Sequence, residues 1–444
     1  MKRLVKILDF ILFFIFNLTI GLNPLTSLII SSIFLIGIYA FRTYDTETMN
    51  SLNETIIRVI AGNFVSIIGI TLFHSILGYS ISKVFLYNFI FNIILIPTIH
   101  KIEYMIYIKK APEKRYLVIG RKNEIGHILD EISKKTHGKY KFVKYINPSA
   151  ERLNSIVSQN YDIDPGTLYK KQAKMNKKYR MKNDKKVDFC YIVVTDLKLE
   201  QEVMEQIDYY KQMGIHVEYL PELAEKTLKR VPIEVIERFD MYYKIEFEKS
   251  YDNSPAKRLL DYVVSIIALT LFSPFMLIIF LGVLLEDGFP IVFKQKRMGL
   301  YSNPFTLFKF RSLKEVPIDK NNPNNGIENR VLKIGKFSRK SRLDESLQFI
   351  NVLKGDMSIV GSRPEMEEFH DQMIDKINFY KYRLKLKPGI TGWAQINYKH
   401  TSTLEDYKIK TEYDLYYIKN RNIIFDLQIM LKTIETMLGM RGAR

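Results

Sequence analysis

One cysteine, Cys190, stands in 444 residues, so no internal disulfide can staple the fold, and its scarcity leaves the compartment open. Seven scattered histidines supply no Cys/His spacing of the kind that holds zinc. Acid is also short: 48 Asp and Glu face 66 Lys and Arg, a formal net charge of +18, with pI about 9.4. Such a surplus draws anions, whether nucleic acid, acidic lipid head groups or phosphorylated small molecules. The dinucleotide fingerprint is missing a part as well. The turn GRKNEIG has Gly120 and Gly126 but lacks the middle glycine of G-x-G-x-x-G, and no Asp or Glu closes the strand that follows, which argues against a bound dinucleotide.

Apolar residues are abundant: 47% of the chain is hydrophobic, with 28 Phe and 28 Tyr, ample for a core and for membrane segments. The mean hydropathy of -0.08 averages a very apolar first hundred residues with polar sequence beyond. Four stretches of membrane-spanning quality, 7–22, 25–41, 56–77 and 84–99, predict a four-helix transmembrane bundle over 1–102. No small-residue cleavage site follows the first, so it does not read as a signal peptide. Lys2, Arg3 and Lys6 precede the block and Lys101, Lys109, Lys110, Lys114 and Arg115 follow it, which puts both of its ends in the cytoplasm. Arg58 and His74, within the third stretch, are costly in lipid and are expected to face neighbouring helices.

From Arg115 the pattern alternates strand and helix: RYLVIG, KYKFVKYI, DFCYIVV and IHVEYL read as strands, EIGHILDEISKK and LEQEVMEQIDYYKQMG as helices. The alternation predicts a small parallel sheet, a Rossmann-like α/β module over 115–235. A Lys- and Tyr-rich insert between Ala150 and Lys186 reads as a solvated excursion rather than a nucleic-acid reader, because no aromatic-basic platform is organised in it.

Residues 259–285, LLDYVVSIIALTLFSPFMLIIFLGVLL, are long enough to span a bilayer. Ser273-Pro274 interrupts the middle, and cations flank both sides: Lys257 and Arg258 before, Lys294, Lys296 and Arg297 after. A proline kink with both flanks basic predicts a re-entrant membrane helix, a hairpin that enters and leaves one face. A kinked ordinary span is the alternative.

Beyond it come dense motifs: FKFRSL (308–313), SRLDESLQ (341–348), LKGDMSIVGSRPE (353–365) and LKPGITGWAQIN (386–397). Ser341 with Asp344 three residues later, before an apolar run, reads as a helix start. On a helix, Asp344 and Glu345 stand ~100° apart and suit different jobs, one attacking phosphorus and the other ligating magnesium. A carboxylate is ionised at neutral pH and needs no base, but it must approach an anionic diphosphate; each like-charge pair at ~4 Å costs about 1 kcal/mol in water and ~4 at an effective dielectric of 20. Lys309, Arg311, Arg342 and Arg363 are the available cations, so acids sit among bases because the substrate is more anionic than they are.

In this order KRLLD (257–261), the Ser-Pro-broken segment, FKFRSL, RLDE, GDMSIVGSRPE and KPGITGWAQIN resemble the bacterial sugar transferase family, the monotopic polyprenyl-phosphate sugar-1-phosphate transferases, over 256–444. The N-terminal block and the Rossmann-like module resemble its long-form members, which are often dimeric and so imply a homodimer. The resemblance implies a membrane α/β protein with a mainly helical catalytic domain, an enzyme that moves a sugar-1-phosphate from a UDP-sugar to polyprenyl (undecaprenyl) phosphate. Asp344 would attack the β-phosphorus, releasing UMP and forming a covalent aspartyl phospho-sugar that the lipid phosphate then displaces, starting a surface glycan. Glu345 matches the Mg2+-associated acid. The family's Pro-Arg-Pro at the nucleotide end falls on Ser362-Arg363-Pro364, where Ser replaces the first proline; Arg363 keeps the phosphate-binding fork, and the nucleotide contact and donor preference are what the change touches. Lys257, Arg258 and Asp261 match the membrane-entry motif, as anchors of the helix end or contacts to the lipid phosphate; an Arg258–Asp261 pair at i, i+3 is the plain alternative. The implied setting is the bacterial inner membrane among its lipids, with the catalytic domain on the cytoplasmic face.

The glycines of GITG (389–392) read as a turn or a close backbone approach. Trp393 suits either a lipid interface or burial. The segment EYDLYYIKN followed by IIFDLQIMLKTIETML reads as amphipathic helix, with Asp414 on its surface or reaching the site. A rival from another class is an inert membrane scaffold or regulator that binds partners through the Rossmann-like module, and it predicts no UMP release. Nucleic-acid binding driven by the net charge predicts salt-sensitive retention of DNA or RNA.

Overall fold

A computed structural model describes residues 2–41, 43–50, 52–72, 81–146, 191–212, 214–248, 254–314, 330–398 and 403–437. His74, Cys190 and the basic insert lie outside the described residues. The chain divides into two compact units, Met1–Pro112 with Met430–Arg444, and Glu113–Ile429.

The first unit is helical: α1 (Lys2–Thr19), α2 (Pro24–Ala40), the short α3 (Thr46–Asn50), α4 (Leu52–Leu72) and α5 (Ile81–Lys110). Asn23 caps α2 by accepting from Thr26 N at 2.8 Å, with Pro24 at the first position, where its missing N–H costs nothing. Phe13, Ile30, Phe34, Val59, Ile70 and Ile96 fill the core. α2 and α4 touch backbone to backbone, since a Cβ on Gly62 would lie 2.8 Å from Gly37 O. Small residues of this kind let apolar helices pack where burial from water offers no drive. Polar groups bind the helices from within: Asn88 donates to Asn17 Oδ1 at 2.9 Å, Asn92 to Asn63 Oδ1 at 2.9 Å, and Asp9 meets Tyr44 OH and His100 Nε2 at 2.8 Å each. Arg58 turns to Glu54 at 2.5 Å and to the Phe41 carbonyl at 3.0 Å, a structural role. Among the described residues, Glu54–Thr71 and Lys83–Lys110 are long and apolar enough to cross a membrane, and α2 is an apolar helix of 17 residues.

The second unit begins with a four-stranded parallel sheet in the order β2-β1-β3-β4. Its elements are β1 (Lys114–Ile119), α6 (Lys122–Lys135), β2 (Tyr140–Ile146), β3 (Tyr191–Val194), α7 (Leu197–Gln212) and β4 (His216–Tyr219). Tyr116 to Ile119 are wholly buried, because helices cover both faces of a parallel sheet. Leu117, Ile119, Ile192 and Val194 pack with Val203, Ile207 and Tyr210 of α7. Ile125, Ile128, Leu129 and Ile132 form the buried stripe of α6 at helical spacing. Next come α8 (Leu220–Leu228), α9 (Ile233–Arg238) and α10 (Asp240–Glu248).

α11 (Pro255–Asp287) is one continuous helix of 33 residues, about 50 Å long. Pro274 removes the donor that Thr270 O would have accepted; Ser273 Oγ donates to that carbonyl at 2.8 Å instead, which keeps the helix intact where an orphan carbonyl would be costly. Twelve large apolar side chains of α11 are exposed, among them Leu285 at 86%, Leu271 at 65% and Leu277 at 59%. At ~1.5–3 kcal/mol each, covering them is worth on the order of 20–35 kcal/mol, too much to leave in water. The opposite flank touches protein along its length. Asp261 accepts from Ser358 Oγ and Ile359 N at 3.0 Å each, Phe272 meets Phe349 with ring centres 6.2 Å apart, and Ile279 and Val283 pack with Phe310, Leu332 and Leu347.

The remaining elements are mainly helical. β5 (Val292–Met298) and β6 (Pro304–Phe310) form an antiparallel hairpin. α12 (Lys333–Lys340), a 3-10 turn over Leu343–Glu345, α13 (Gln348–Lys354), β7 (Ser358–Val360), α14 (Glu367–Ile374) and β8 (Gly389–Thr391) follow, then α15 (Trp393–Asn397), α16 (Leu404–Asn420) and α17 (Ile423–Met437). β7 and β8 are parallel. Glu412 of α16 ties this region to the sheet module: it pairs with Arg230 and accepts from Ile233 N at 2.9 Å.

Candidate active site

The acid pair does not open a helix. Ser341 closes α12, its hydroxyl donating to Phe337 O at 2.8 Å, and Arg342 then turns left-handed at φ 59, a costly conformation for a side chain of that size. Asp344 and Glu345 therefore sit on a one-turn 3-10 helix, ~120° apart rather than ~100°. The expected helix start at Ser341, with its free amides, is replaced by the C-terminal end of α12, so cationic side chains carry the electrostatics here.

Those side chains come from three elements. Lys309, on β6, donates to Glu345 Oε1 at 2.9 Å, and Arg363, on the loop after β7, lies 3.6 Å from the same oxygen. Burial pushes the Glu345 carboxyl up, but Lys309, Arg363 and Arg342 outweigh it and hold the group below its ordinary value. Asp344 makes no ion pair among the described residues, and burial first, then the Glu345 charge, push it up against the pull of Lys309 and Arg339. Two neighbouring carboxylates thus have opposite environments, which is the arrangement in which paired acids take separate roles.

Other candidates lie elsewhere. Arg311 is 5% exposed and donates to the Asp287 and Gly288 carbonyls at 2.8 Å each; it fastens the end of α11 and does not face the acids. Lys257 pairs with Asp426 at 2.9 Å and donates to Val360 O at 3.2 Å, so with Asp261 it anchors the start of α11. Lys257, at 3.9 Å, stands beside Asp261 in place of the i, i+3 partner Arg258, whose side chain is exposed. Ser273 and Pro274 lie in the middle of α11. Pro364 is buried next to Arg363.

The loop that presents Arg363 is held from behind by residues that sequence reading left aside or put on the surface. Asp414 is 2% exposed and binds Arg383 at 2.9 Å; it is neither on the surface nor at the acid pair. Arg383 is itself 1% exposed and donates to Arg363 O at 3.2 Å. Glu365 pairs with Lys410. The GITG glycines serve close backbone approach: Gly389 N donates to Ser362 O at 2.8 Å and Gly361 N to Thr391 O at 2.9 Å, and no room for a Cβ exists at Gly389 or Gly361. Trp393 is packed against Phe425, with Nε1 donating to Lys229 O at 2.8 Å. No signal separates Arg383 or Lys410 from the surrounding Lys- and Arg-rich sequence.

At the carboxyl edge of the parallel sheet, where doubly wound folds bind nucleotides, side chains of the unit bond to one another and to its backbone. Thr195 Oγ1 donates to Ile119 O at 2.7 Å, and Arg238 bridges Glu124 at 3.2 Å and Asp196 at 3.3 Å.

Residues 252–440 match the family described as bacterial sugar transferase. Over 194 residues the chain is 43% identical to a UDP-N-acetylgalactosamine-undecaprenyl-phosphate N-acetylgalactosaminephosphotransferase of Aeromonas hydrophila, covering 42% of this chain and 45% of the relative. Over 191 residues it is 42% identical to a UDP-glucose:undecaprenyl-phosphate glucose-1-phosphate transferase of Escherichia coli (strain K12), covering 41% and 40%. A protein of Bacillus subtilis (strain 168) named uncharacterized sugar transferase EpsL is 39% identical over 188 residues, 42% of this chain and 89% of the relative. The chain thus spans less than half the length of the first two relatives.

Proposed function

Because the chain belongs to the bacterial sugar transferase family, we propose that it transfers a sugar-1-phosphate from a UDP-sugar to undecaprenyl phosphate, in two steps through Asp344. In the first, an Asp344 carboxylate oxygen bonds to the β-phosphorus while the bond from that phosphorus to the bridging oxygen breaks, and UMP leaves with the electron pair. In the second, an oxygen of the lipid phosphate bonds to the same phosphorus and the Asp344–phosphorus bond breaks, which returns the carboxylate and yields a polyprenyl diphosphate sugar. The observation that carries this reading is the division between the two acids: Lys309 and Arg363 hold Glu345, whereas Asp344 makes no ion pair among the described residues. A carboxylate already clamped by two cations is a poor nucleophile; its unclamped neighbour is free to attack.

Mg2+ fits this site as a shared ligand of protein and substrate. Among the described residues no group of three or more His, Cys, Asp or Glu forms a metal cage, and magnesium in phosphoryl-transfer sites commonly takes one or two carboxylates with the rest of its oxygens from phosphate and water. Glu345 would hold it. Bound there, the ion neutralises diphosphate charge. Lys309, Arg363 and Arg342 would bind and orient the diphosphate.

The setting is a membrane. We read 1–102 as a four-span bundle, 115–235 as the Rossmann-like module and 256–444 as the catalytic domain, with α11 seated in the cytoplasmic face of the inner membrane and its exposed apolar side in lipid. Contact of one protein unit with α11 from Asp261 through Phe272 to Val283 supports a helix held to one face of the membrane, since a span would carry its ends to opposite sides. The products would start a surface glycan. A panel of UDP-sugars offered to purified membranes with undecaprenyl phosphate, read as UMP release, tests the function and identifies the donor. No release with any donor leaves only a scaffold.

A further inference from the structure

We propose that Arg297 is a substrate-binding cation that takes the phosphate next to the nucleoside, an assignment that rests on the nucleotide-donor reading above. Arg297 lies near the end of β5, and the next residue, Met298, donates its N–H to Glu365 O at 2.9 Å. The strand is thereby fastened to the loop that carries Arg363. A guanidinium offers five donors, and those of Arg297 meet only neutral acceptors. Nη2 donates to Gln295 Oε1 at 2.6 Å, and Nη1 reaches Pro364 O at 3.4 Å, beyond the usual range. Nε is buried without a partner.

Among the described residues no carboxylate comes within ion-pair distance of Arg297, because the nearby acids are engaged. Glu365 is held by Lys410 and, at 3.9 Å, by Arg383; Glu345 is held by Lys309 and Arg363. Burial pushes the Arg297 guanidinium down from its ordinary value, Glu365 opposes this and Arg363 adds to it. Arg297 is half-buried, and a cation partly withdrawn from water without a counter-ion is costly, since arginine cannot shed its proton to relieve it. An arriving anion supplies the missing charge. Attacking and leaving oxygens lie in line across a transferring phosphorus. Arg363 reaches Glu345 of the acid pair and Arg297 reaches Pro364, the next residue in that loop, so with the transferring phosphate at Arg363 the leaving phosphate is the one left for Arg297.

The test compares UMP with uridine, which differ by that phosphate, on the full-length protein in lipid nanodiscs by isothermal titration. Wild type is expected to favour UMP. In Arg297→Gln the ratio of the two dissociation constants falls by about tenfold or more, the loss expected for a charge-assisted hydrogen bond, while uridine affinity stays. An unchanged ratio overturns the assignment and leaves Arg297 as a brace for Pro364. If Arg297→Gln does not accumulate, Arg297→Lys, which keeps the charge but loses the fork, is read the same way: a drop of about threefold supports the assignment, and an unchanged ratio overturns it. A wild-type protein that binds UMP no better than uridine removes the donor reading and this assignment together.

Discussion

Replacing Lys309 with Met probes the electrostatics of the acid pair at its strongest contact. At 2.9 Å from Glu345 and an effective dielectric near 20, the attraction is roughly 6 kcal/mol before desolvation. Both side chains keep some exposure, 18% and 16%, so truncation should cost on the order of 2–3 kcal/mol of stability, below the ~3–5 of a fully buried pair. The same cation pulls down both Glu345 and Asp344. Without it both carboxyls bind protons more tightly, and the fraction of enzyme with Asp344 ionised falls on the acid side. The acidic limb of the pH profile of kcat/KM, followed by UMP release, should therefore move to higher pH. On the plateau kcat should drop by about 10²–10³, the range for loss of one preorganised charge partner. An acidic limb that stays in place, with melting unchanged, would refute the idea that Lys309 sets the ionisation of the pair.

Asp344→Asn should abolish turnover and raise the melting temperature at neutral pH. Burial and the Glu345 charge raise Asp344, so the native state holds that proton more tightly than the unfolded chain; the residue's contribution falls as pH rises from about 3.9 through the native value, and an equal or lower melting temperature at pH 7 contradicts this. Glu345 has the opposite sign: its lowered value contributes stability above about 4.3 that is lost as pH falls through the native value. Glu345→Gln should need much more magnesium for turnover, and an unaltered metal titration removes its assigned role. In a Cys190→Ser background, cysteines introduced at Ser254 and Ser302, before and after α11, should label from the same side of sealed vesicles; opposite sidedness makes α11 an ordinary span.

Legibility from sequence followed the range of the forces involved. The parallel strands were readable because burial on both faces leaves a near-continuous apolar run, as in Tyr116 to Ile119. The Ser-Pro pair suggested a break in α11, but the helix runs on through Pro274 because Ser273 bonds Thr270 O, a local detail that the pair leaves open. The S-x-x-D signature misled because Arg342, without a glycine to announce it, adopts the left-handed conformation that ends α12. Lys309 and Arg311 are two apart and would share a face of a strand; β6 ends at Phe310, and Arg311 turns to α11. Arg383, Asp414, Lys410 and Glu365 resemble surface charges by composition. Their burial behind the Arg363 loop comes from tertiary packing, which periodicity does not encode.

The claim on which the mechanism depends is that Asp344 becomes bonded to phosphorus. Intact-protein and peptide mass spectrometry after incubation with a UDP-sugar and magnesium, with lipid acceptor withheld, tests it most directly. A gain of one sugar phosphate is expected, confined to the peptide carrying Asp344, lost on adding undecaprenyl phosphate and absent from Asp344→Asn. Full turnover in Asp344→Asn, or rapid wild-type turnover with no adduct even when the acceptor is withheld, would contradict it.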